Sequence, residues 1–175
     1  MANPIIPMPI AGEYPVYFAT YLAYTESVDI YSALVRNKTA VPLFFLHLPA
    51  EKLHFRYAEG KWTPLDIFLH IIDCERVFQH RAFWIARGCT APLAGFEQDD
   101  FVVTGCANDR DMGSLIVEYE AVRASTIALI DGLPNGALRN IGTASGNVVS
   151  ATALIHCVVG HELHHLKVLE EKYGL

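Results

Sequence analysis

The sequence predicts an all-α fold, an up-down-up-down four-helix bundle with long connecting loops. Three observations carry this. Four segments repeat apolar residues at three- and four-residue steps. Three of the four start at a strong N-capping residue: Thr63, Asp111 and Ser150. No segment alternates polar and apolar residues convincingly, as a half-buried strand would. The chain has 175 residues, which fits one domain, 1–175, with residues 1–27 as an N-terminal arm.

Residues 1–15 are rich in proline and read as extended, packed on the body or on a partner. Residues 28–47 follow a helical pattern through Ile30, Leu34, Val41, Leu43 and Leu46. Pro42 predicts a kink or a break there. Residues 48–61 are a polar connection. The second helix starts with Thr63 as N-cap, Pro64 at N1 and Asp66 at N3, beside the positive end of the helix dipole. It runs to about Arg87 and stops at Gly88. Residues 89–110, with Pro92, Gly95, Gly105 and the acidic Glu97, Asp99 and Asp100, read as a long loop of the kind that carries function. Asp111 caps a third helix through Leu115, Tyr119, Val122 and Ile127 to Ile130. Residues 135–149 read as a loop with short extended pieces. Ser150 caps a fourth helix that reaches Tyr173.

Composition excludes several classes of function. Just over half the residues are hydrophobic, 18% are charged, and net charge is −6. No Lys/Arg-rich run exists to meet a nucleic-acid backbone or an anionic membrane. No apolar stretch approaches the 18 or so residues of a membrane span. The N-terminus lacks a basic region and is broken by prolines, so it does not read as a targeting segment. Cys74, Cys89, Cys106 and Cys157 show no C-x-x-C spacing and read as reduced thiols of a cytoplasmic protein.

The densest chemical signal is His161-Glu162-Leu163-His164-His165. His161 and His165 stand at i and i+4, on one helix face, where two imidazoles can grip one ion. Glu162 between them is a candidate general base for a metal-bound water. A zinc protease is disfavoured: its usual third ligand lies further downstream, and no edge strand is expected to bind a peptide. A third ligand must come from upstream. Counting along the apolar face of the second helix gives Ile67, His70, Ile71, Cys74 and Phe78. Counting along the fourth gives Leu154, Val158, His161, His165 and Val168. Three histidines on buried faces need a partner, and a shared metal ion would serve. A lone core histidine is more often simply hydrogen bonded, and with the two helices parallel their levels match only if the helices are staggered.

Other residues have bland readings. His164 points about 100° away from His165 and fits the surroundings of the site or an interface. His156 is structural. Cys74 and Cys157 are small buried hydrophobes, with a thiolate ligand as the alternative. Glu75, Arg76 and Arg81 fit a structural ion network, or Arg81 orients an anionic substrate. Trp62 plugs the core at the start of its helix.

The run Trp62-Thr63-Pro64-Leu65-Asp66-Ile67-Phe68-Leu69-His70, the stretch from Asp73 through Glu75, Arg76 and Phe78 to Arg81, the segment Pro92-Leu93-Ala94-Gly95-Phe96-Glu97-Gln98-Asp99, and Gly160 through Leu166 together resemble the DinB-like superfamily of metalloenzymes. The resemblance covers roughly residues 28 to 175. It implies a four-helix bundle, often dimeric, with a divalent metal held by His70, His161 and His165. Zinc, nickel and iron all suit imidazole ligands.

The expectation is therefore a metal-dependent hydrolase or thiol transferase acting on a small molecule, with Glu162 as its base and a homodimer as its assembly. The alternative is a non-catalytic metal-binding or assembly protein whose ion fixes the bundle. Access to the ion discriminates between them.

Overall fold

The computed structural model describes residues 3–134 and 136–175. Met1 and Ala2 of the arm, and Asn135 of the expected loop at 135–149, lie outside the described residues. Helices run α1 Ala19–Leu22, α2 Ile30–Leu46, α3 Pro64–Ala86, α4 Gln98–Gly105, α5 Met112–Asp131 and α6 Ala151–Val168. Strands β1 Ile141–Ala144 and β2 Asn147–Ser150 form one antiparallel hairpin.

The four long helices fall where the sequence places them, because their caps form. Thr63 and Asp66 make a reciprocal capping box at the start of α3. Asp111 accepts from the Ser114 amide at 2.9 Å, and Ser150 Oγ accepts from the Ala153 amide at 3.2 Å. Gly88 leaves α3 at a φ of 79°, a conformation that favours glycine. Helix α2 begins at an Asp29 cap and passes through Pro42 without a break. Beyond Val168, a π-helical turn carries the chain to Tyr173.

The up-down-up-down order does not hold. Trp62, before α3, lies against His165 of α6, and its carbonyl accepts from the Tyr173 hydroxyl. At the other end of α3, Ile85 meets Gly142 of the hairpin that leads into α6. Helices α3 and α6 are therefore antiparallel. Helices α3 and α5 run parallel, since Phe68 meets Tyr119 and Gln79 meets Ser125. Helix α2 opposes α5, pairing Tyr31 with Asp131 and the Asn37 carbonyl with Tyr119. Directions thus read up, down, down, up, with α2 and α3 each packed on both α5 and α6. The physical reason is the connection at 87–111. It is long enough to carry the chain back along α3, so α5 starts at the same end.

That connection is not a plain loop. It contains α4, whose first turn carries Asp99 and Asp100 at the favourable dipole end. Leu93 is pinned to the hairpin, its amide donating to the Thr143 carbonyl at 2.9 Å. The hairpin itself turns on Ser145 and Gly146, with φ of 51° and 74°, the left-handed pair of a tight two-residue turn. The arm is partly helical: a 3-10 turn at Val16–Phe18, α1, and a second 3-10 turn at Ala23–Thr25. It packs along α6. No helix among the described residues is long and apolar enough to cross a membrane.

Candidate metal centre

His70 lies nearly two turns into α3 and His161 lies in the C-terminal half of α6. Because these helices are antiparallel, the two positions come level without any stagger. His70 Nε2 stands 2.9 Å from His161 Nε2, and His165 Nε2 stands 3.1 Å from the same atom. The three ligand atoms all lie within 4.8 Å of one another. His70 and His161 are buried and His165 is half-buried.

This donor set fits a metal ion. His161 Nε2 carries either one proton or one lone pair, so it cannot serve two imidazole neighbours well. An ion accepts lone pairs from all three. Nitrogens about 2.1 Å from a tetrahedral ion stand about 3.4 Å apart, so ~0.3–0.5 Å of outward relaxation seats one. Burial keeps the imidazoles neutral, as ligation requires. It pushes the His70 pKa down to about 4, with the His164 charge adding to the effect. Burial, then the neighbouring histidines, hold His161 and His165 well below the ordinary histidine value.

Side chains pack closely around the rings. The Cys74 sulfur lies 3.6 Å from His70 Nδ1 and 3.7 Å from Nε2, so it packs against the imidazole without favouring either nitrogen. Burial raises the Cys74 thiol to about 12, which makes it a neutral neighbour rather than a thiolate. Trp62 packs on His70 at 4.6 Å and lies nearly parallel to His165. The ring read as a core plug is thus a wall of the site. On the far side, Tyr21 packs edge-on against His161 and His164. Gly160 makes this possible, since a Cβ there would run into the Tyr21 carbonyl.

Two cavities meet the cluster. One, of about 700 Å³, is lined by Trp62, Asp66, Val102, Asn108, His165 and Tyr173 among others. The second, of about 740 Å³, is lined by Tyr21, Cys74, Phe78, Arg81, Phe96 and His161 among others. Asp99 of α4 lines both. Were the three histidines to hold an ion, the open space beside them would leave room for water or substrate.

The structure does not bring Glu162 to this cluster. One residue round the helix from His161, its carboxylate is fully buried toward α2 and α5. It accepts from Asn37 Nδ2 at 2.7 Å, from Tyr119 Oη at 2.5 Å and from Arg123 Nη2 at 2.5 Å. Arg123 also holds Glu75 through Nε at 2.9 Å and Nη2 at 2.9 Å. Thr126 Oγ1 donates to Glu75 at 2.8 Å. The ion network expected around Glu75, Arg76 and Arg81 is therefore three separate arrangements. Glu75 belongs to Arg123, Arg76 pairs with Asp73 and Glu118, and Arg81 pairs with no carboxylate among the described residues.

Arg123, Asn37 and Tyr21 were not legible as site-supporting residues. Arg123 alone left a signal, standing on the apolar stripe of α5 between Tyr119 and Ile130. His156, read as structural, takes Thr25 Oγ1 at 2.9 Å through Nδ1.

The comparisons bear on the family and the fold. The family model of the DinB superfamily matches residues 33–169. None of the curated proteins compared with the chain matches it. Among solved structures, YfiT from Bacillus subtilis superposes with a TM-score of 0.67 at 14% sequence identity, over 94% of this chain and 95% of that one. That protein is described as a probable metal-dependent hydrolase with an unusual four-helix bundle topology. By the extent of the family match, the chain belongs to the DinB superfamily.

Proposed function

We propose that the chain is a metal-dependent enzyme, a hydrolase or thiol transferase, that acts on a small molecule at a divalent ion held by His70, His161 and His165. The convergence of three Nε2 atoms at the junction of two open cavities supports this most directly. A sealed ion would suit a purely structural role. Zinc, nickel or iron would suit the ligands, and such an ion supplies Lewis acidity and brings a bound water's pKa toward neutrality. The description of YfiT as a probable metal-dependent hydrolase points the same way.

The chain's own residues supply the rest. Trp62 and Tyr21 exclude water from two sides, and Cys74 packs against His70. Asp99, the carboxylate that lines both cavities, is the proton acceptor in this reading. Glu162 holds the frame behind the ligands.

Elemental analysis of untagged protein should find one ion per chain, and His70→Ala, His161→Ala and His165→Ala should each lose it. A screen of ester, amide and thiol-transfer substrates then tests turnover. Asp99→Asn should lower kcat by roughly 10²–10⁴-fold, the usual worth of a general base, while leaving metal content unchanged. Full metal occupancy in all three histidine variants would sink the site. A bound ion without turnover, whose removal strongly lowers Tm, would favour the structural role.

A further inference from the structure

Arg81 is a buried cation that the fold does not neutralise. Its residue is 5% exposed. Among the described residues only its Nη2 is hydrogen bonded, to the Ala94 carbonyl at 2.8 Å and to Ser145 Oγ at 3.0 Å. Both partners are neutral. The guanidinium lies over the Phe96 ring, 5.2 Å from its centre, and faces the 740 Å³ cavity that also exposes His161. Arg123, the other deeply buried arginine, holds two carboxylates. A guanidinium cannot shed its proton to escape burial, and an unpaired buried charge is costly. Burial accordingly lowers the Arg81 pKa, and no carboxylate offsets it.

The backbone around Arg81 is arranged to hold the group still. Ala94 belongs to the strand-like segment zipped to the hairpin, and Ser145 sits in the hairpin turn. Nε and Nη1 remain for a ligand in the cavity.

We propose that Arg81 is the anion-recognition residue of the cavity, binding a carboxylate of the substrate while the rest of the molecule reaches toward His161. This rests on the reading of the three-histidine site as catalytic and names the class of its substrate. Arg81 lies seven residues beyond Cys74, about 10 Å further along α3 at 1.5 Å per residue. Cys74 is the level of the ligand cluster. The span suits a small molecule with one acidic end and a reactive group several bonds away. Phe78 and Phe96 supply apolar walls between the two ends. Glu97 and Asp99 also line the cavity, so a monoanion fits better than a dianion. A carboxylate is therefore preferred to a phosphate monoester.

The test measures binding by calorimetry and thermal shift, with phenylacetate as probe, phenylacetamide as its neutral counterpart and phenyl phosphate as the dianion. It is run on metal-loaded and chelator-treated protein. Phenylacetate should saturate in both forms and phenylacetamide should not. Arg81→Met should fold with an undiminished Tm, because it removes an unpaired buried charge, and should weaken phenylacetate binding at least tenfold. Arg81→Lys, which keeps the charge without the fork, provides a second variant should Arg81→Met fail to fold, and should weaken binding by a smaller factor. Equal binding by an Arg81 variant, equal binding of phenylacetamide, or tighter binding of phenyl phosphate would overturn the proposal. Carboxylate binding that survives chelation and is lost in Arg81→Met upholds the anion site even where metal analysis refutes the three-histidine centre. Binding seen only in metal-loaded protein assigns the carboxylate to the ion and overturns the role of Arg81.

Discussion

Arg123→Met should be among the most damaging single changes in this protein, and Glu162→Gln should be mild by comparison. The buried cluster holds one guanidinium and two carboxylates, Glu75 and Glu162, with all three side chains at most 2% exposed. Removing the arginine leaves two carboxylates facing each other in the core with only Asn37, Tyr119 and Thr126 as donors. Breaking a buried pair in this way costs about 3–5 kcal/mol. In a chain of this length that is a fall of about 6–20 °C in Tm. Glu162→Gln instead leaves Arg123 and Glu75 as a matched pair. The amide oxygen can take the Oε2 place and keep Arg123 and Tyr119 as donors, while the new NH2 takes the Oε1 place and faces Asn37, whose side-chain amide can turn its oxygen to accept. The cost should be about 1 kcal/mol, that of rearranging neutral hydrogen bonds.

Urea unfolding of the two variants and the double variant measures both terms. A cost for Arg123→Met within about 1 kcal/mol of wild type would refute the charge count. So would a Glu162→Gln variant as unstable as Arg123→Met. The same variant also decides the role of Glu162 in chemistry. Metal content and turnover should persist in folded Glu162→Gln. A loss of 10²–10⁴-fold in kcat with the fold intact would restore it as the proton acceptor.

Gly160→Ala should cost about 1–3 kcal/mol, since the new Cβ meets Tyr21 backbone atoms, one of them at 2.8 Å; an unchanged Tm would show that the arm does not close over the site. Acid should destabilise the protein through His156, whose pKa burial pushes from 6.5 to about 4. The unfolded state then binds more protons between those values, so stability falls as pH drops from about 6.5 to about 4, by at most about 3 kcal/mol for this group; His156→Phe should remove that share of the slope and leave the share of the other buried histidines. Metal occupancy should fall on acidification, as protons compete for the three imidazoles, and occupancy that does not respond to acid would point to a different ligand set. Exposed Val35, Leu43, Leu46 and Phe83 fit the expected homodimer, and light scattering that gives only 19.4 kDa across micromolar concentrations would sink it.

Local signals in the sequence were dependable, and direction was not. Caps at Thr63, Asp111 and Ser150 located three helices because capping is settled within four residues. The apolar stripes placed His70, His161 and His165 on faces that meet. Strand-like character in 141–150 was faint, because the hairpin is short and one edge only borrows Leu93. Helix α4 was missed since none of its residues is buried, so it leaves no apolar periodicity to read. Helix direction depends on where the 87–111 connection returns, and nothing in its composition states that. Glu162 was misplaced because the spacing H-E-x-x-H is silent on what faces the carboxylate. That is decided by Asn37, Tyr119 and Arg123, from two other helices.

The connection that reverses the expected direction also roofs the site, and this can be tested by replacing α4 rather than deleting it. Helix α3 is 23 residues long, about 34 Å at 1.5 Å per residue. Phe96 is held near the lower end by Arg81, and Asn108 is tied to Thr63 and Asp66 at the upper end. Removing the eight residues of α4 would leave only 97, 106 and 107 between Phe96 and Asn108. At about 3.3–3.6 Å per residue those four steps reach ~14 Å, too short for the ~22 Å of α3 between Asp66 and Arg81. A deletion would therefore tear the 93–96 segment from the hairpin and confound the result. An equal-length Gly/Ser segment in place of 98–105 keeps the span. Because α4 buries none of its residues, the bundle should stay folded with a Tm lowered by only a few degrees, on the order of 1 kcal/mol. Metal content should remain at one ion per chain, since all three ligands lie on α3 and α6. Turnover should fall, because Asp99 and the shared wall of the two cavities are gone. Undiminished kcat/KM in this variant would remove α4 from the active site, and loss of the ion would show that the roof, and not the antiparallel pair beneath it, holds the histidines together.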